Sequence, residues 1–138
     1  MSDNLPLSGI KALLIDDSNT IRRSGEIFLV QAGCQVVLAE DGFDGLSKIV
    51  DCRPDVIFID IMMPRLDGYQ TCALIKNNHE FRTTPVIMLT NKDSLFDRAW
   101  ARLVGADQYL VKPFTKNSLV TAITARTQLI QQESRRGH

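Results

Sequence analysis

The chain has 138 residues, of which 44% are hydrophobic and 23% are charged, a composition typical of one globular domain with its own core. Sixteen basic residues balance sixteen acidic ones, so the charge indicates neither nucleic acid nor a membrane as an obligatory partner. Because no apolar run approaches the roughly 20 residues of a membrane span, and no secretion signal opens the chain, we expect a cytoplasmic protein.

Five short apolar runs predict five strands. They are near-continuous in Val, Ile and Leu, where an exposed antiparallel strand would alternate with polar residues, so we expect a parallel sheet covered on both faces. In chain order the predicted strands are Lys11–Ile15, Gln35–Ala39, Val56–Ile59, Val86–Leu89 and Gln108–Val111.

Each interval between the predicted strands carries the signals of a helix. The first predicted helix starts at the N-cap Ser18, runs to Ala32 and stops at Gly33. Its predicted inner face consists of Ile21, Ser24, Ile27, Phe28 and Ala32. The second helix is predicted from about Gly45 to Cys52, after a solvated turn at Glu40 and Asp41.

The later helices follow the same logic. The third is predicted to open at Asp67-Gly68 and to run to about Asn78. Ser94 can cap the fourth, which ends before Gly105. Its predicted inner side consists of Leu95, Ala99 and Leu103. The fifth is predicted to start near Thr115, with one side consisting of Leu119, Ile123 and either Arg126 or Ile130.

This alternation of strands and helices predicts an α/β fold, a doubly wound five-stranded parallel sheet with (βα)5 connectivity and right-handed crossovers. The expected domain covers residues 10–130, between an N-terminal extension, residues 1–9, and a polar C-terminal tail, residues 131–138. The cysteines Cys34, Cys52 and Cys72 are far apart and form no CxxC pair, so we expect reduced thiols without a metal or redox role.

Polar residues follow the predicted strands. Asp16 and Asp17 follow the first, Asp60 the third, Thr90 the fourth and Lys112 the fifth. In strand order 2-1-3-4-5 the first and third strands are neighbours at the switch point, where ligands bind, so the three carboxylates should converge. Such crowding is costly without a cation, and Mg²⁺ prefers an all-oxygen shell of this kind. The set predicts a phosphoryl-transfer site with a carboxylate nucleophile.

Four segments, LLIDDS, FIDIMMPRLDG, IMLTN and YLVKPF, resemble the motifs of the response-regulator receiver family, and the likeness extends from about Ile10 to Ile130. It implies a flavodoxin-like fold and a signalling protein that catalyses its own phosphorylation and slow dephosphorylation. The implied site roles are Asp60 as phosphoryl acceptor, Thr90 and Lys112 as contacts of the phosphoryl oxygens, and Asp16, Asp17, Asp60 and the Met62 carbonyl as Mg²⁺ ligands.

The same resemblance implies a switch. A phosphoryl group on Asp60 would draw in the Thr90 hydroxyl, and the ring of Tyr109 would turn into the vacated space. The surface formed by the fourth helix, fifth strand and fifth helix is then the expected output face. The family's Lys112-Pro113 bond is commonly cis, which would aim the lysine into the pocket.

The stretches DDSNTIRR and DIMMPRLDGYQTCALIKNN resemble, more narrowly, the single-domain receivers of the chemosensory system that governs type IV pili and twitching motility. This resemblance implies a chemotaxis-type sensor histidine kinase as phosphoryl donor and a pilus-regulating protein as downstream partner. We expect a monomer or weak dimer. Because no DNA-binding segment follows Ile130, we expect no direct transcriptional control.

Three alternatives remain open at this stage: a binding module without phosphorylation, a metal-dependent aspartyl phosphatase and a flavin binder. The phosphatase reading lacks its usual second Asp, since Met62 stands two residues after Asp60, and DDSN stands where a flavin binder has a phosphate loop. Met62 and Lys92 cannot orient water as acidic or amide groups do, so slow to moderate self-hydrolysis is expected. Trp100 could equally be a partner contact or partly packed.

Overall fold

The computed structural model describes residues 5–125. Strands and helices alternate throughout this range. The elements are β1 (Lys11–Ile15), α1 (Asn19–Gln31), β2 (Gln35–Ala39), α2 (Gly42–Cys52), β3 (Val56–Asp60), α3 (Gly68–Asn77), β4 (Val86–Thr90), α4 (Leu95–Leu103), β5 (Gln108–Val111) and α5, which is helical over residues 116–125. The predicted positions at Arg126 and Ile130 lie outside the described residues.

All five strands pair in parallel, in the order β2-β1-β3-β4-β5, which confirms the predicted doubly wound fold. The central strands β3 and β4 are fully buried, whereas the edge strands β2 and β5 are mostly half-buried. β3 and β4 each extend one residue further than predicted. Asp60 and Thr90 are therefore the last residues of their strands rather than the first residues beyond them.

Alternate residues of a strand pack into two separate hydrophobic cores, one on each face of the sheet. In β1, Ala12 and Leu14 pack with residues of α1 and α5, whereas Leu13 and Ile15 pack with residues of α2, α3 and α4. Full burial of a side chain as large as those of Leu13, Leu14 and Ile15 contributes about 1.5–3 kcal/mol. Because both faces of each strand are buried, the strand sequences are continuously apolar. Burial of these side chains fixes the register of the strands and so the positions of the residues at their ends.

The predicted inner side of α4 was wrong. Leu95 is 88% exposed and Leu103 is 77% exposed, and Ala99 is also exposed. Ala101 is the buried residue of this helix. A small side chain lets the helix approach the sheet but adds little to an apolar pattern, so periodicity assigned the larger leucines to the core.

Two further helix predictions need correction. In α1 the buried residues are Gly25 and Leu29, and Ile27 is 47% exposed, because a glycine at position 25 lets the helix lie close to the sheet without adding to the apolar pattern. α2 begins at Gly42, three residues before the predicted start, because the Asp41 side chain caps it by accepting from the backbone N–H of Asp44 at 2.8 Å.

The segment before β1 contributes to the core. Leu7 is 1% exposed, and its backbone N–H donates to the carbonyl of Ala32 at 2.9 Å. Residues from Leu7 onward therefore pack with the domain, although the sequence suggested an extension up to residue 9. Among residues 5–125, no helix is long and apolar enough to cross a membrane.

Candidate functional site

Three carboxylates meet at the carboxyl ends of β1 and β3. Asp16, Asp17 and Asp60 each offer an oxygen, and these oxygens lie within 4.8 Å of one another. The parallel register pairs Ile15 with Ile59 and so brings the two strand ends side by side. Asp16 and Asp60 are buried, whereas Asp17 is exposed. The structure thus brings together the three residues that the sequence predicted to converge.

One lysine joins two of these carboxylates. The Nζ atom of Lys112 donates to Oδ2 of Asp16 at 2.9 Å and to Oδ1 of Asp60 at 3.1 Å. Its backbone N–H donates to the carbonyl of Thr90 at 2.6 Å, which ties the end of β5 to the end of β4. The Lys112-Pro113 peptide is cis. The predicted lysine therefore reaches the predicted acceptor.

The electrostatics of the pocket follow from burial and crowding. Burial raises the pKa of Asp60 to about 6; the charge of Asp16 adds to this effect and Lys112 opposes it. Burial alone would lower the pKa of Lys112, but its hydrogen bonds and charge interactions with Asp16 and Asp60 outweigh this, so its pKa is raised. The pocket therefore holds a firmly protonated lysine and a carboxylate that is costly to ionise.

The donor set fits a magnesium ion. Three carboxylates and one ammonium leave two negative charges uncompensated when Asp60 is ionised, which equals the charge of one divalent cation. All the candidate ligand atoms are hard oxygens, and exposed Asp17 leaves room for water in the shell. The Met62 backbone contacts the site through its N–H, which lies 3.4 Å from Oδ1 of Asp60. The role of the Met62 carbonyl as a ligand stays a prediction.

Contacts with the start of α1 hold Asp16 in place. Oδ1 of Asp16 accepts from the backbone N–H of Ser18 at 2.9 Å, so it is oriented by the start of α1. The carbonyl of Asp16 accepts from the guanidinium of Arg22 at 2.6 Å. Arg22 could not be recognised as part of the site from the sequence, because a basic residue on a helix is usually solvated.

Gly68 holds the start of α3 against the acceptor strand. A Cβ atom at this position would lie 2.4 Å from the carbonyl oxygen of Asp60 and 2.7 Å from Cα of Ile61. The Gly68 N–H donates to the carbonyl of Ile61 at 3.0 Å. The sequence marked Gly68 only as a helix start. Its close approach to the backbone of Asp60 could have been suspected from a glycine shortly after an acceptor strand.

Two predicted switch residues share a partner. The hydroxyl of Thr90 donates to the carbonyl of Lys92 at 3.3 Å, and the hydroxyl of Tyr109 donates to the same carbonyl at 3.0 Å. Thr90 is 3% exposed and Tyr109 is half-buried. The guanidinium carbon of Arg98 lies 4.8 Å from the centre of the Tyr109 ring. Both hydroxyls are thus anchored to the loop between β4 and α4.

A cleft of about 440 Å³ borders the carboxylate cluster. Its walls include exposed Asp17 and Met62 on one side and Tyr69 of α3 on another. Clefts at the carboxyl ends of parallel strands are the usual ligand sites of doubly wound folds. The cluster is therefore accessible beside Asp17, although Asp16 and Asp60 are buried.

Comparisons with known proteins agree with this geometry. The response regulator receiver domain model matches residues 12–124. The chain is 63% identical over 117 residues to Protein PilG of Pseudomonas aeruginosa, covering 85% of this chain and 87% of PilG. Response regulator MprA of Mycobacterium ulcerans is 36% identical over 128 residues, covering 91% of this chain and 54% of MprA.

Solved structures show the same fold. The chemotaxis protein CheY4 of Vibrio cholerae superimposes with a TM-score of 0.81 at 34% identity, over 84% of this chain and 97% of CheY4. The fold, the aspartate cluster and the family match point to one conclusion. The chain belongs to the response regulator receiver domain family, and it is a response regulator of chemotaxis-like signalling.

Proposed function

We propose that Asp60 accepts a phosphoryl group from a phosphohistidine of a chemotaxis-type sensor histidine kinase, in a Mg²⁺-dependent reaction. The observation that carries this proposal is the bridge from Lys112 to both Asp16 and Asp60, with Asp17 beside them. With a pKa of about 6, Asp60 is largely ionised at neutral pH and can act as a nucleophile.

The chemistry requires few groups. An oxygen of Asp60 attacks phosphorus, an acyl phosphate bond forms, and the bond from phosphorus to the histidine nitrogen breaks with the electron pair leaving on the imidazole. Asp16, Asp17, Asp60 and the Met62 carbonyl would hold Mg²⁺, which would neutralise charge on the transferred phosphoryl oxygens. Lys112 stabilises the same developing charge from the other side, and the Thr90 hydroxyl can donate to a phosphoryl oxygen.

The switch uses Thr90 and Tyr109. When Thr90 turns to a phosphoryl oxygen, the carbonyl of Lys92 loses one of its two hydroxyl donors. Tyr109 then becomes free to rotate, and the face formed by α4, β5 and α5 changes. The phosphoryl group shifts the population because it bonds to Thr90 in one arrangement and not in the other.

We further propose that the protein acts in a pilus pathway. The resemblance of its motifs to the twitching-motility receivers and the 63% identity to Protein PilG support this assignment. The protein would work in the cytoplasm, as a monomer or weak dimer, between its kinase and a pilus-regulating protein. The receiver unit would extend over residues 10–130, and Leu7 packs against its core.

A phosphotransfer experiment tests whether Asp60 is the phosphoryl acceptor. We expect a radiolabelled chemotaxis-type kinase to label the wild type and Asp51→Asn, a matched change at an exposed carboxylate of α2, but not Asp60→Asn. Removal of Mg²⁺ with EDTA should abolish labelling. Labelling of Asp60→Asn at the wild-type level would place the acceptor elsewhere. Absence of labelling from the kinase and from acetyl phosphate would favour a binding module without phosphorylation.

The pilus assignment has its own test. Replacement of the chromosomal gene by the Asp60→Asn variant should change twitching motility, measured as the zone of surface spreading, whereas Asp51→Asn should not. Unchanged spreading and unchanged surface pili in the Asp60→Asn strain would contradict the assignment. They would leave the phosphoryl acceptor unaffected.

A further inference from the structure

Asp16 is held by hydrogen bonds from every side. Its backbone N–H donates to the carbonyl of Ala39 at 3.1 Å. Its carboxylate accepts from the backbone N–H of Ser18 and from Nζ of Lys112, both at 2.9 Å. Its own carbonyl accepts from the guanidinium of Arg22 at 2.6 Å. Arg22 is therefore the partner that fixes the peptide group on the carboxyl side of Asp16.

The Asp17 carboxylate lacks comparable support. Asp16 and Asp60 both accept from Nζ of Lys112. The Asp17 side chain is exposed and, among the described residues 5–125, has no hydrogen-bond or ion-pair partner. Its position therefore depends on the backbone that carries it. Because a peptide group is planar, a bond that fixes the Asp16 carbonyl also fixes the direction in which the chain enters Asp17.

The guanidinium of Arg22 is itself anchored. A second nitrogen of this group donates to the side-chain oxygen of Asn19, and the backbone N–H of Arg22 donates to the carbonyl of Ser18 at 3.0 Å. Arg22 is half-buried, whereas its neighbour Arg23 is exposed. A planar guanidinium that is held in this way loses little conformational freedom when it binds the Asp16 carbonyl.

The stability of α1 does not account for an arginine at this position. The Ser18 side chain already caps the helix by accepting from the backbone N–H of Ile21 at 3.3 Å. Arg22 lies close to the N-terminus of α1, where a positive charge is unfavourable with the helix dipole, and the first turn contains no acidic residue to offset it. The contact that explains the arginine is the one with Asp16.

We propose that Arg22 is a positioning residue for the Mg²⁺ site. It holds the peptide group between Asp16 and Asp17, so that the Asp17 carboxylate stays close to the other two. Groups that orient metal ligands in this way typically contribute roughly ten- to hundred-fold to metal affinity. The inference rests on the proposed function and deepens it, because it assigns a determinant of metal affinity at the same site.

The charge of Arg22 alone would have the opposite effect. A guanidinium near three carboxylates repels a cation, so its removal would strengthen Mg²⁺ binding if charge were all that mattered. A guanidinium that positions Asp17 favours binding, so its removal would weaken Mg²⁺ binding. The sign of the change in affinity therefore separates the two roles.

A titration of metal-free protein with Mg²⁺, followed by the NMR signals of backbone amides at the site, measures this affinity. Arg22→Met keeps an apolar side chain but donates no hydrogen bond, and it should raise the dissociation constant about ten-fold. Its Asp17 amide signal should differ from the wild type before metal is added, because the Asp16 carbonyl has lost its donor. Arg23→Met removes an exposed charge from the next residue and should bind Mg²⁺ as the wild type does. An unchanged or lower dissociation constant in Arg22→Met would overturn the proposal.

The Mg²⁺ dependence of labelling distinguishes positioning from a loss of folded protein. At saturating Mg²⁺, Arg22→Met should be labelled at Asp60 nearly as fast as the wild type, and the Mg²⁺ concentration for half-maximal labelling should rise about ten-fold. A lower maximum at an unchanged midpoint would mean that the variant only unfolds, and it would refute the positioning role.

Asn19 provides a second variant that leaves Arg22 in place. Asn19→Ala should raise the Mg²⁺ midpoint when Arg22 is present, because Asn19 holds the guanidinium. It should have no further effect in Arg22→Met, where that guanidinium is missing. An equal effect in both backgrounds would contradict the assigned role of Arg22.

The two proposals can fail separately. Labelling of the wild type at Asp60, with equal Mg²⁺ midpoints in the wild type and Arg22→Met, would refute the positioning role alone. Weaker Mg²⁺ binding in Arg22→Met, without labelling of the wild type, would refute the acceptor alone. A wild type that binds no Mg²⁺ would overturn both.

Discussion

Thr90 and Tyr109 donate their hydroxyl groups to a single acceptor, the carbonyl of Lys92, at 3.3 and 3.0 Å. The two side chains come from neighbouring strands, since β4 pairs Met88 with Tyr109 and Thr90 with Val111. A displacement of the Thr90 hydroxyl therefore changes the hydrogen bonding of Tyr109 through their common acceptor.

The first prediction concerns this shared carbonyl. In the wild type, beryllofluoride with Mg²⁺ should shift the NMR signals of the Tyr109 ring and of the Lys92 amide. In Thr90→Ala, signals near Asp60 should still shift, but those of Tyr109 should not, because no hydroxyl leaves the carbonyl. Thr83→Ala, at an exposed threonine outside the site, is the control. If beryllofluoride shifts the Tyr109 signals in Thr90→Ala as much as in the wild type, the coupling is contradicted.

The second prediction is a pH dependence of stability in metal-free protein. The folded pKa of Asp60 is about 6, above its unfolded value of about 4. Below pH 4 the group is protonated in both states. As pH rises from about 4 to about 6 only the unfolded state ionises, so the wild type loses roughly 2–3 kcal/mol, and the loss stays constant above that. Asp60→Asn should therefore be the more stable protein above pH 6.

Urea unfolding at several pH values measures this difference. Asp60→Asn and the wild type should converge near pH 4, and the gap should open by pH 7. Asp51→Asn should follow the wild type at every pH, because Asp51 is exposed. An asparagine variant that is less stable than the wild type at pH 7.5 would mean that Lys112 more than compensates the burial of Asp60.

The third prediction concerns magnesium. Binding at the three carboxylates should raise the melting temperature of the wild type, and Mg²⁺ at 100 times its dissociation constant would add about 2.7 kcal/mol to the free energy of unfolding. Asp16→Asn should lose most of this gain, since one of the three clustered carboxylates loses its negative charge, whereas Asp51→Asn should keep it. Equal stabilisation of all three proteins would argue for nonspecific binding.

The fourth prediction concerns Gly68. A methyl group there would press on the carbonyl of Asp60 at 2.4 Å, so Gly68→Ala should cost about 1–3 kcal/mol of stability and slow the labelling of Asp60. Gly9→Ala is a useful comparison, because a Cβ at Gly9 meets nothing within 4 Å although its φ of 84° is strained for alanine. It should destabilise the protein without affecting labelling. Normal labelling of Gly68→Ala would show that the acceptor tolerates a shifted α3.

The fifth prediction concerns the lifetime of the phosphorylated state. Met62 is 69% exposed and Lys92 is exposed, and neither side chain can act as a base toward water as a carboxylate can. Phospho-Asp60 should therefore hydrolyse slowly to moderately, and Met62→Glu should accelerate hydrolysis by about ten-fold or more. Decay of the radiolabel after removal of the kinase gives the rate. Met62→Leu, which places no acidic or amide group at this position, is the control, and a half-life of a few seconds in the wild type would contradict the expectation.

The sequence predicted the strand ends well because topology determines them. Once the strand order is known, residues at the carboxyl ends of β1, β3, β4 and β5 must lie at one end of the sheet, so Asp16, Asp60 and Lys112 could be placed together from the sequence. The orientation of α4 could not be predicted in this way. Ala101 faces the sheet because it is small, and the leucines on the opposite side gave the stronger pattern.

Hydrogen bonds to backbone carbonyls could not be predicted from the sequence either. The carbonyl of Lys92 is the acceptor that joins Thr90 to Tyr109, and a carbonyl has no residue-specific signature. The packing of Leu7 depends on a hydrogen bond to Ala32, far along the chain. Both features arise from tertiary contacts, which cannot be predicted from the local pattern of apolar and polar residues.

The bridge from Lys112 to Asp16 and Asp60 has a consequence for when the pocket takes its shape relative to metal binding. The lysine serves as a resident counterion, so the acidic pocket can assemble during folding without waiting for an ion from the cell. A kinase then meets a pocket whose carboxylates are already oriented, and little reorganisation is left for the moment of encounter. Readiness to receive a signal is thus a property of the folded chain, and fluctuations in metal supply would affect the transfer step rather than the integrity of the receiver.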